Sequence, residues 1–578
     1  MLTKGFVKKK YNKMLIASIL GWIVALVGSL ADSVIAGIFI SEDAVSATGL
    51  VSPVFSLSFF LSTLVGVGAA AVYSYTAGAF EVEKAKRVNG TSLVFAIICG
   101  FVMAALFYFG EDAYFTFYSS SPGIEAMARD YYQWYIVIGL LYPIYWLVYS
   151  WVSVDGDSTL VLCTDIFTAV ANAGFSVLFV QIIGVAGLAL GTLVSTVLST
   201  LILLAHFFRK SNSIRIKLCL NIKTIGEISL AGSSAAMCTL YVGIIDIVMN
   251  KFIIVYIGEA FLAAYAIVNL MLNLAQICQC AVDAAGPFIG TSYGEGNPVA
   301  LRKTMKMCTK QSLVVGLVMT IVFLVLAPWV PMIYGIVTPE IYAASVFSVR
   351  VLALSYIITS MIYVWGSYFP RIERPFLGNM ISIIYSLITP LVPVIPMAMK
   401  WGYTGLVWGF FINPFLSFVI MTIVIIARNG VKAWPFAIDD SENKIFTHEY
   451  ALNDDDVLLL RDTVGEELAG AGVAGGIIMK VQLMIEELCA TIKKQNELEA
   501  ESHGKKMKKI LGDCTVMVSD KDVQLIMRDN GKLFDITNCD ADITSLSQYV
   551  ANRLMEDGSE NTYMTTVSFN RSCYKWEM

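Results

Sequence analysis

Histidine is nearly missing from the 578 residues: His206, His448 and His503 are the only three, and none lies near another. That scarcity argues against a histidine-built metal centre or a Ser-His-Asp triad. Charge is scarce as well, at 15% of residues against 57% hydrophobic, whereas soluble globular chains carry about 25% charged residues. A soluble enzyme is excluded for most of the chain, and a multispanning membrane protein is what such a composition builds. The eleven cysteines, including Cys163, Cys278 and Cys280 inside apolar runs, show neither metal-ligand spacing nor a disulfide framework. They read as small buried apolar residues.

What charge there is falls unevenly. From Phe436 to Met578 the chain has 15 basic and 26 acidic residues, leaving 25 basic and 19 acidic before it. The tail is therefore a separate water-soluble domain, and no nucleic acid is expected among the partners.

The apolar part is a duplication. GVGAAAVYSYTAGAFEVEKAKR (Gly66 to Arg87) aligns without a gap on VDAAGPFIGTSYGEGNPVALRK (Val282 to Lys303), an offset of 216 that pairs Gly78 with Gly294 and Tyr75 with Thr291. An offset of 218 lays GVAGLALG (Gly184 to Gly191) over GYTGLVWG (Gly402 to Gly409), matching three glycines. Two such halves are the signature of a transporter built from parallel repeats, with its site between them. The expected domains are 1–215 and 216–435, each a six-helix bundle, and 436–578, the soluble tail.

A spanning helix needs about 20 mainly apolar residues, and twelve such runs can be drawn, from Met14–Ile40 to Gly402–Ile426. The second and eighth are long enough to kink, at Pro53 and Pro287. KKKYNK ahead of the first run imitates a signal peptide, but the run continues to Ile40, past the length of a signal h-region. It reads as the first span. Of the 25 Lys and Arg before the tail, 21 fall on one side of this topology, which puts both termini in the cytoplasm and the chain in the plasma membrane as a multi-pass protein. In the tail, Leu458–Ala471 and Ile477–Lys494 have helical periodicity, Asp513–Val518 and Val523–Arg528 read as strands, Glu497–Lys509 as a loop, Val550–Met555 as a helix and Tyr563–Asn570 as a final strand.

An ionisable residue inside a span costs ~2.5 to 3.5 kcal/mol on insertion scales and marks a functional site by default. Asp32 lies in the first run, Asp246 in the seventh with Asn250 and Lys251 close behind, Asp283 in the eighth, and Asp165 with Asn172 on one face of the fifth. Lys251 or Asn250 could satisfy Asp246, and Arg350 near the end of the tenth run could snorkel. Burial favours the protonated acid, so a proton and a cationic substrate can compete for one carboxylate. That competition is the physical basis of antiport. Sodium could replace the proton, with Asp32, Asn172 and backbone carbonyls as hard oxygen ligands.

On LADSVIAGIFISEDAVSATGLVSPV, GVGAAAVYSYTAGAFEVEKAKR, ANAGFSVLF and GVAGLALGTLVS, taken in order, the chain from Met14 to about Arg428 resembles the multidrug and toxic compound extrusion (MATE) family. The resemblance implies two six-helix bundles around a central cavity, rocking between inward- and outward-open states and coupled to H⁺ or Na⁺. In it Asp32 matches the family's first-helix acid and Asn172 its fifth-helix asparagine. Where members often have an aspartate one turn later this chain has Ser176, and Asp165 is the substitute at hand.

The tail resembles the ATP-binding domain of the histidine-kinase and Hsp90 type (GHKL), closest to small anti-sigma-factor kinases. Glu487 in VQLMIEELCATIKKQ matches the acid of the first box, Asp529 and Gly531 in VQLIMRDNGKLFD match the DxG that reads adenine, and Asn561 resembles the residue opening the last strand. Two departures stand out: Thr491 replaces the Mg²⁺-holding asparagine, and DITSLSQYV replaces a glycine-rich lid. For RDNG alone, a type I′ hairpin turn is the plain alternative.

The expected architecture is thus an all-α polytopic membrane protein of twelve transmembrane helices in two repeats, followed by a cytoplasmic α/β sandwich. The expected activity is secondary export of small amphipathic or cationic compounds, with H⁺ or Na⁺ as the coupling ion. No enzyme and no cofactor are needed for transport; ATP with Mg²⁺ is the ligand the tail resemblance brings, for nucleotide sensing or for a degenerate module that docks a regulatory protein. The alternatives are a flippase of a lipid-linked or anionic molecule, and a membrane-tethered ATP-binding regulator.

Overall fold

The computed structural model describes residues 5–118, 122–209, 212–258, 261–333, 336, 338–430, 444–502, 507, 509–536 and 560–578, and of residues 26, 27, 29–34, 37, 42, 43, 45, 46, 263 and 429 the backbone alone. The helix expected over Val550–Met555 lies outside the described residues.

The first half consists of α1 (Phe6–Phe39), α2 (Glu42–Gly78), α3 (Val82–Tyr118), α4 (Pro122–Val154), α5 (Ser158–Ile183) and α6 (Ala186–Leu204). The second consists of α7 (Ile222–Phe252), α8 (Leu262–Leu274) and α9 (Cys280–Gly294), α10 (Pro298–Leu326), the short α11 (Trp329–Ile333), α12 (Pro339–Ala353) and α13 (Tyr356–Arg371), α14 (Pro375–Ile383) and α15 (Thr389–Asn429). Among the described residues nine helices are long and apolar enough to cross a membrane, or ten if α12 and α13, bent by 52° at their junction, make one span.

The duplication shows in the boundaries. Phe6, Gly78 and Val82 bound helices in the first half, and Ile222, Gly294 and Pro298 bound their counterparts 216 residues later. Backbone conformation repeats too: Gly184 has φ 62° and ψ −140°, and Gly402, where α15 breaks, has φ 60° and ψ −140°. Only glycine takes such a conformation without a steric penalty. The expected kinks fall elsewhere. α2 runs unbroken through Pro53, and its counterpart breaks at a 3₁₀ turn over Ala275–Gln279, more than two turns ahead of Pro287.

The halves meet along α2, which packs on both α7 and α9, and along α1, which packs on α5 and α9. Glycines permit the approach. A Cβ on Gly232 would strike the carbonyl of Leu64, and one on Gly78 would lie 3.0 Å from the Cα of Gly294. Close backbone contact through small residues is how helices associate where lipid supplies no hydrophobic drive.

The tail folds as an α/β sandwich. Its strands are β1 (Lys444–Ala451), β2 (Leu511–Val518), β3 (Asp522–Asp529), β4 (Glu560–Tyr563) and β5 (Asn570–Glu577), in the all-antiparallel order β1-β2-β3-β5-β4. Helices α16 (Asp454–Ala471) and α17 (Gly475–Ser502) cover one face over Leu460, Val464, Leu488, Val516, Leu525 and Trp576. Asn453 caps α16 by accepting from the Asp456 amide, and Asp454 to Asp456 put negative charge at its positive end. Three readings are corrected. α17 continues to Ser502, so the loop expected from Glu497 starts later; β1 lay unread in Lys444–Ala451; and the strand expected over Tyr563–Asn570 is a hairpin bend, with Val567 and Ser568 at φ 54° and 60°, joining β4 to β5.

Candidate transport site between the two halves

Polar side chains gather where α1 runs between the halves. Asp165 of α5 lies against Gly21, where a Cβ would come within 2.7 Å of its Oδ2, and that oxygen accepts a long bond of 3.4 Å from the Tyr149 hydroxyl of α4. The next residue of α1, Trp22, donates from Nε1 to Asp283 Oδ2 of α9 at 3.0 Å, and Gln279 donates to Oδ1 at 3.4 Å. Arg371, at the end of α13, lies within electrostatic reach of Asp283 and donates to the Ser367 carbonyl at 2.6 Å. One acid from each half thus meets α1, at two adjacent residues.

The other sequence candidates disperse. Asn172, seven residues beyond Asp165 on α5, accepts from the Thr192 hydroxyl of α6 at 3.1 Å. Asp246 stands apart in the second half, taking a 3.4 Å bond from Tyr265 of α8; Asn250 and Lys251, the partners expected for it, are exposed. Ser176 is buried against Gly191. Asp32 belongs to α1, but its side chain lies outside the described residues. Arg350 is exposed. Trp22, Gln279 and Tyr149 were missed, because a neutral donor in an apolar run carries no pattern by itself and only proximity to an acid distinguishes it; Arg371 was missed because it reads, with Arg374, as a loop cation.

In the tail, Asp529 ends β3 and is buried, its Oδ1 accepting from the Gly531 amide at 2.8 Å and from Asn570 Nδ2 at 2.9 Å. Burial raises this carboxyl to about 6, against the two hydrogen bonds that lower it. RDNG is no hairpin turn: β3 pairs with β2 and β5, and the chain leaves through Lys532, whose amide donates to Asn496 of α17 at 2.8 Å. Glu487 is half-buried on α17. The asparagine that opens the last strand and holds Asp529 is Asn570, and Asn561, expected in that place, sits in β4.

These features define a polytopic membrane protein with paired acids at a junction of repeated halves, and comparison with known proteins shows what that class is similar to. Residues 17–178 match the MatE family model. The multidrug export protein MepA of Staphylococcus aureus (strain MSSA476) is 20% identical over 438 residues, 73% of this chain and 93% of that protein. A probable multidrug resistance protein of Bacillus subtilis (strain 168), YoeA, is 22% identical over 339 residues, 56% of this chain and 72% of that protein. Among solved structures, a MATE family multidrug resistance transporter of the MOP superfamily in its outward-facing conformation superposes with a TM-score of 0.68 at 19% identity, over 73% of this chain and 97% of that one. At that identity the likeness establishes the fold. Together the three comparisons support a multi-pass membrane transporter that is similar to members of the MATE family.

Proposed function

We propose that the chain is a secondary active exporter of small amphipathic or cationic compounds, working by exchange against H⁺ or Na⁺. α1 and the two arms of α15 about Gly402 bring the spans to twelve, in the plasma membrane, with both termini and the tail cytoplasmic. The observation that carries the reading is that Asp165 and Asp283, one from each half, both meet α1, at its adjacent residues Gly21 and Trp22. A carboxylate held by long or single hydrogen bonds in a poorly hydrated site exchanges a proton for a cation at small cost. Because the two acids belong to different halves, rocking changes the distance between them and hence their affinity for a shared charge. Asp32 stands on the same helix and remains the family-like coupling acid; Asp246 and Asn172 line the outer parts of the two halves. Arg371 beside Asp283 is the one basic group near the site among the described residues, which favours cationic cargo over the lipid-linked anions of a flippase.

The tail is read as a nucleotide-sensing domain, with Asp529 and Gly531 reading the base, Glu487 on the facing helix, and Thr491 in place of the metal-holding asparagine. In that reading ATP or ADP regulates and is not hydrolysed to drive transport.

The test is efflux of a fluorescent cation from proteoliposomes under imposed pH or Na⁺ gradients. Asp165→Asn and Asp283→Asn should each lower the gradient-driven rate about tenfold or more, the effect of losing ~1.4 kcal/mol, and Asp32→Asn likewise. Full rates in all three would refute the assignment. Titrating the full chain with ATP and ADP by calorimetry tests the tail: heat lost in Asp529→Asn supports sensing, and no heat from the parent refutes it.

A further inference from the structure

The sheet face that α16 and α17 leave bare is not solvent-facing. Across it run four charged residues in register, Glu449 on β1, Asp513 on β2, Arg528 on β3 and Arg571 on β5. Like charges side by side on neighbouring strands repel, so the row needs partners, and it finds them partly in the transporter. Arg528 is held bidentately by Asp513 at 2.6 and 2.5 Å and stands 3.7 Å from Glu295, just past α9. Glu449 receives Lys303 of α10 at 2.8 Å and the amides of Gly5 and Phe6 at the start of α1.

Arg571 reaches furthest. Its guanidinium donates to the carbonyls of Ala77 and Gly78 at 3.0 and 3.1 Å, to Glu295 Oε1 at 2.6 Å, and lies over the Phe80 ring at 4.3 Å. Ala77 and Gly78 end α2 in the first half and Phe80 lies just past it; Glu295 follows the end of α9 in the second. Arg571 and Glu295 side chains are each 1% exposed. They clamp the site where repeat-related Gly78 and Gly294 touch, on the pseudo-symmetry axis. Around them the bend before β5 inserts Val567 and Phe569 into the apolar core shared with α1 and α9, with Phe569 and Phe6 ring centroids 4.5 Å apart. Ser568 donates to the Asp155 carbonyl at 3.1 Å and receives Lys10 at 3.2 Å.

We propose that this surface, formed by the ends of α2 and α9, is the docking site of the chain's own tail, and that Arg571 latches the two halves shut on the tail side. The inference rests on the alternating-access reading above: opening toward the tail must part the ends of α2 and α9, and Arg571 holds both. The latch is built to release. Glu295 Oε2 and Arg571 Nε make no hydrogen bond among the described residues, so the buried pair is incompletely satisfied, and a pair of this kind gains little over its hydrated, separated state. The carbonyls of Ala77 and Gly78, at a helix C-terminus, attract a cation but do not need one.

Hydrogen–deuterium exchange of the full chain in lipid nanodiscs tests the latch, with efflux measured in parallel. Arg571→Gln and Glu295→Gln should each raise exchange about tenfold in peptides covering both 75–81 and 292–298, by opening these helix ends locally, while peptides of α5 and α12 stay unchanged. Exchange unchanged at either helix end, or raised in the tail alone, would overturn the proposal. If Arg571→Gln raises exchange throughout, it unfolds the chain, and Glu295→Gln, which keeps the shape of the contact, decides by the same criterion. Loss of the alternating-access reading is seen separately: the parent itself would then show no gradient-driven efflux.

Discussion

Asp529 is a buried acid whose effect on folding has a definite sign, even with two hydrogen bonds to its carboxylate. Its carboxyl is raised by burial to about 6 in the folded tail, above the ~3.9 of an unfolded aspartate. Between those values the native chain keeps a proton that the unfolded chain has lost, so stability falls as pH rises from about 4 to about 6 and levels off above. The span of some two units is worth roughly 3 kcal/mol at most. Asp529→Asn removes the titration, and thermal unfolding of the two full chains side by side from pH 4 to pH 7 should show the gap between their midpoints shifting in the variant's favour toward pH 7. A constant gap would mean that Asp529 ionises in the fold as it does in water. Acids such as Asp165, Asp246, Asp283 and Asp529 were legible in the sequence because a charge in an apolar run or after a strand is conspicuous. Their partners were not, since Trp22, Tyr149 and Asn570 look like any aromatic or polar residue until the fold brings them within 3.4 Å.

At the scale of elements, glycine decides which helices approach. Gly294 is the sharper case: a Cβ there would collide with the Tyr75 carbonyl and press on Ala79 of the other half. Gly294→Ala is therefore expected to lower the thermal unfolding midpoint, by overpacking worth about 1 to 3 kcal/mol. Gly174, inside α5 with open space where its Cβ would stand, is the control; Gly174→Ala should hold or raise the midpoint, since alanine is the better helix former by up to ~1 kcal/mol. Equal effects of the two would sink the contact. Most helices were readable from apolar length, and the break at Gly402 from its match to Gly184. The breaks at Ala275–Gln279 and between α12 and α13 were not, because neither carries a proline or glycine at the bend. In the tail, the bend at Val567–Ser568 escaped for a related reason: β-branched valine disfavours positive φ, and packing of Val567 into the transporter core supplies the compensation.

Over the whole molecule, two sequence signals of different origin point the same way. The repeat offset of 216 pairs Gly78 with Gly294, and those residues meet in space; the distribution of Lys and Arg predicts which face of the bundle is cytoplasmic, and the acidic tail docks on that same face, at Lys303 and Lys10. What no sequence pattern announced was that the tail would pack against both halves, because the charged row that does so is spread over four strands far apart in the chain. Orientation has a direct check. Lys400 is exposed and lies two residues before Gly402, where α15 breaks, whereas Lys303, 68% exposed at its side chain, lies beside Glu449 of the tail. With cysteine placed singly at each, a membrane-impermeant maleimide applied to intact cells should label Lys400→Cys well above the parent chain and leave Lys303→Cys at the parent's level until the cells are permeabilised. The reverse pattern would turn the molecule over, placing its net acidic tail outside, where the excess of Lys and Arg at its docking face would contradict the rule that positive loops stay in the cytoplasm. Labelling at both positions in intact cells would mean that the bundle inserts in two orientations, and a single cytoplasmic latch could not then act on every copy.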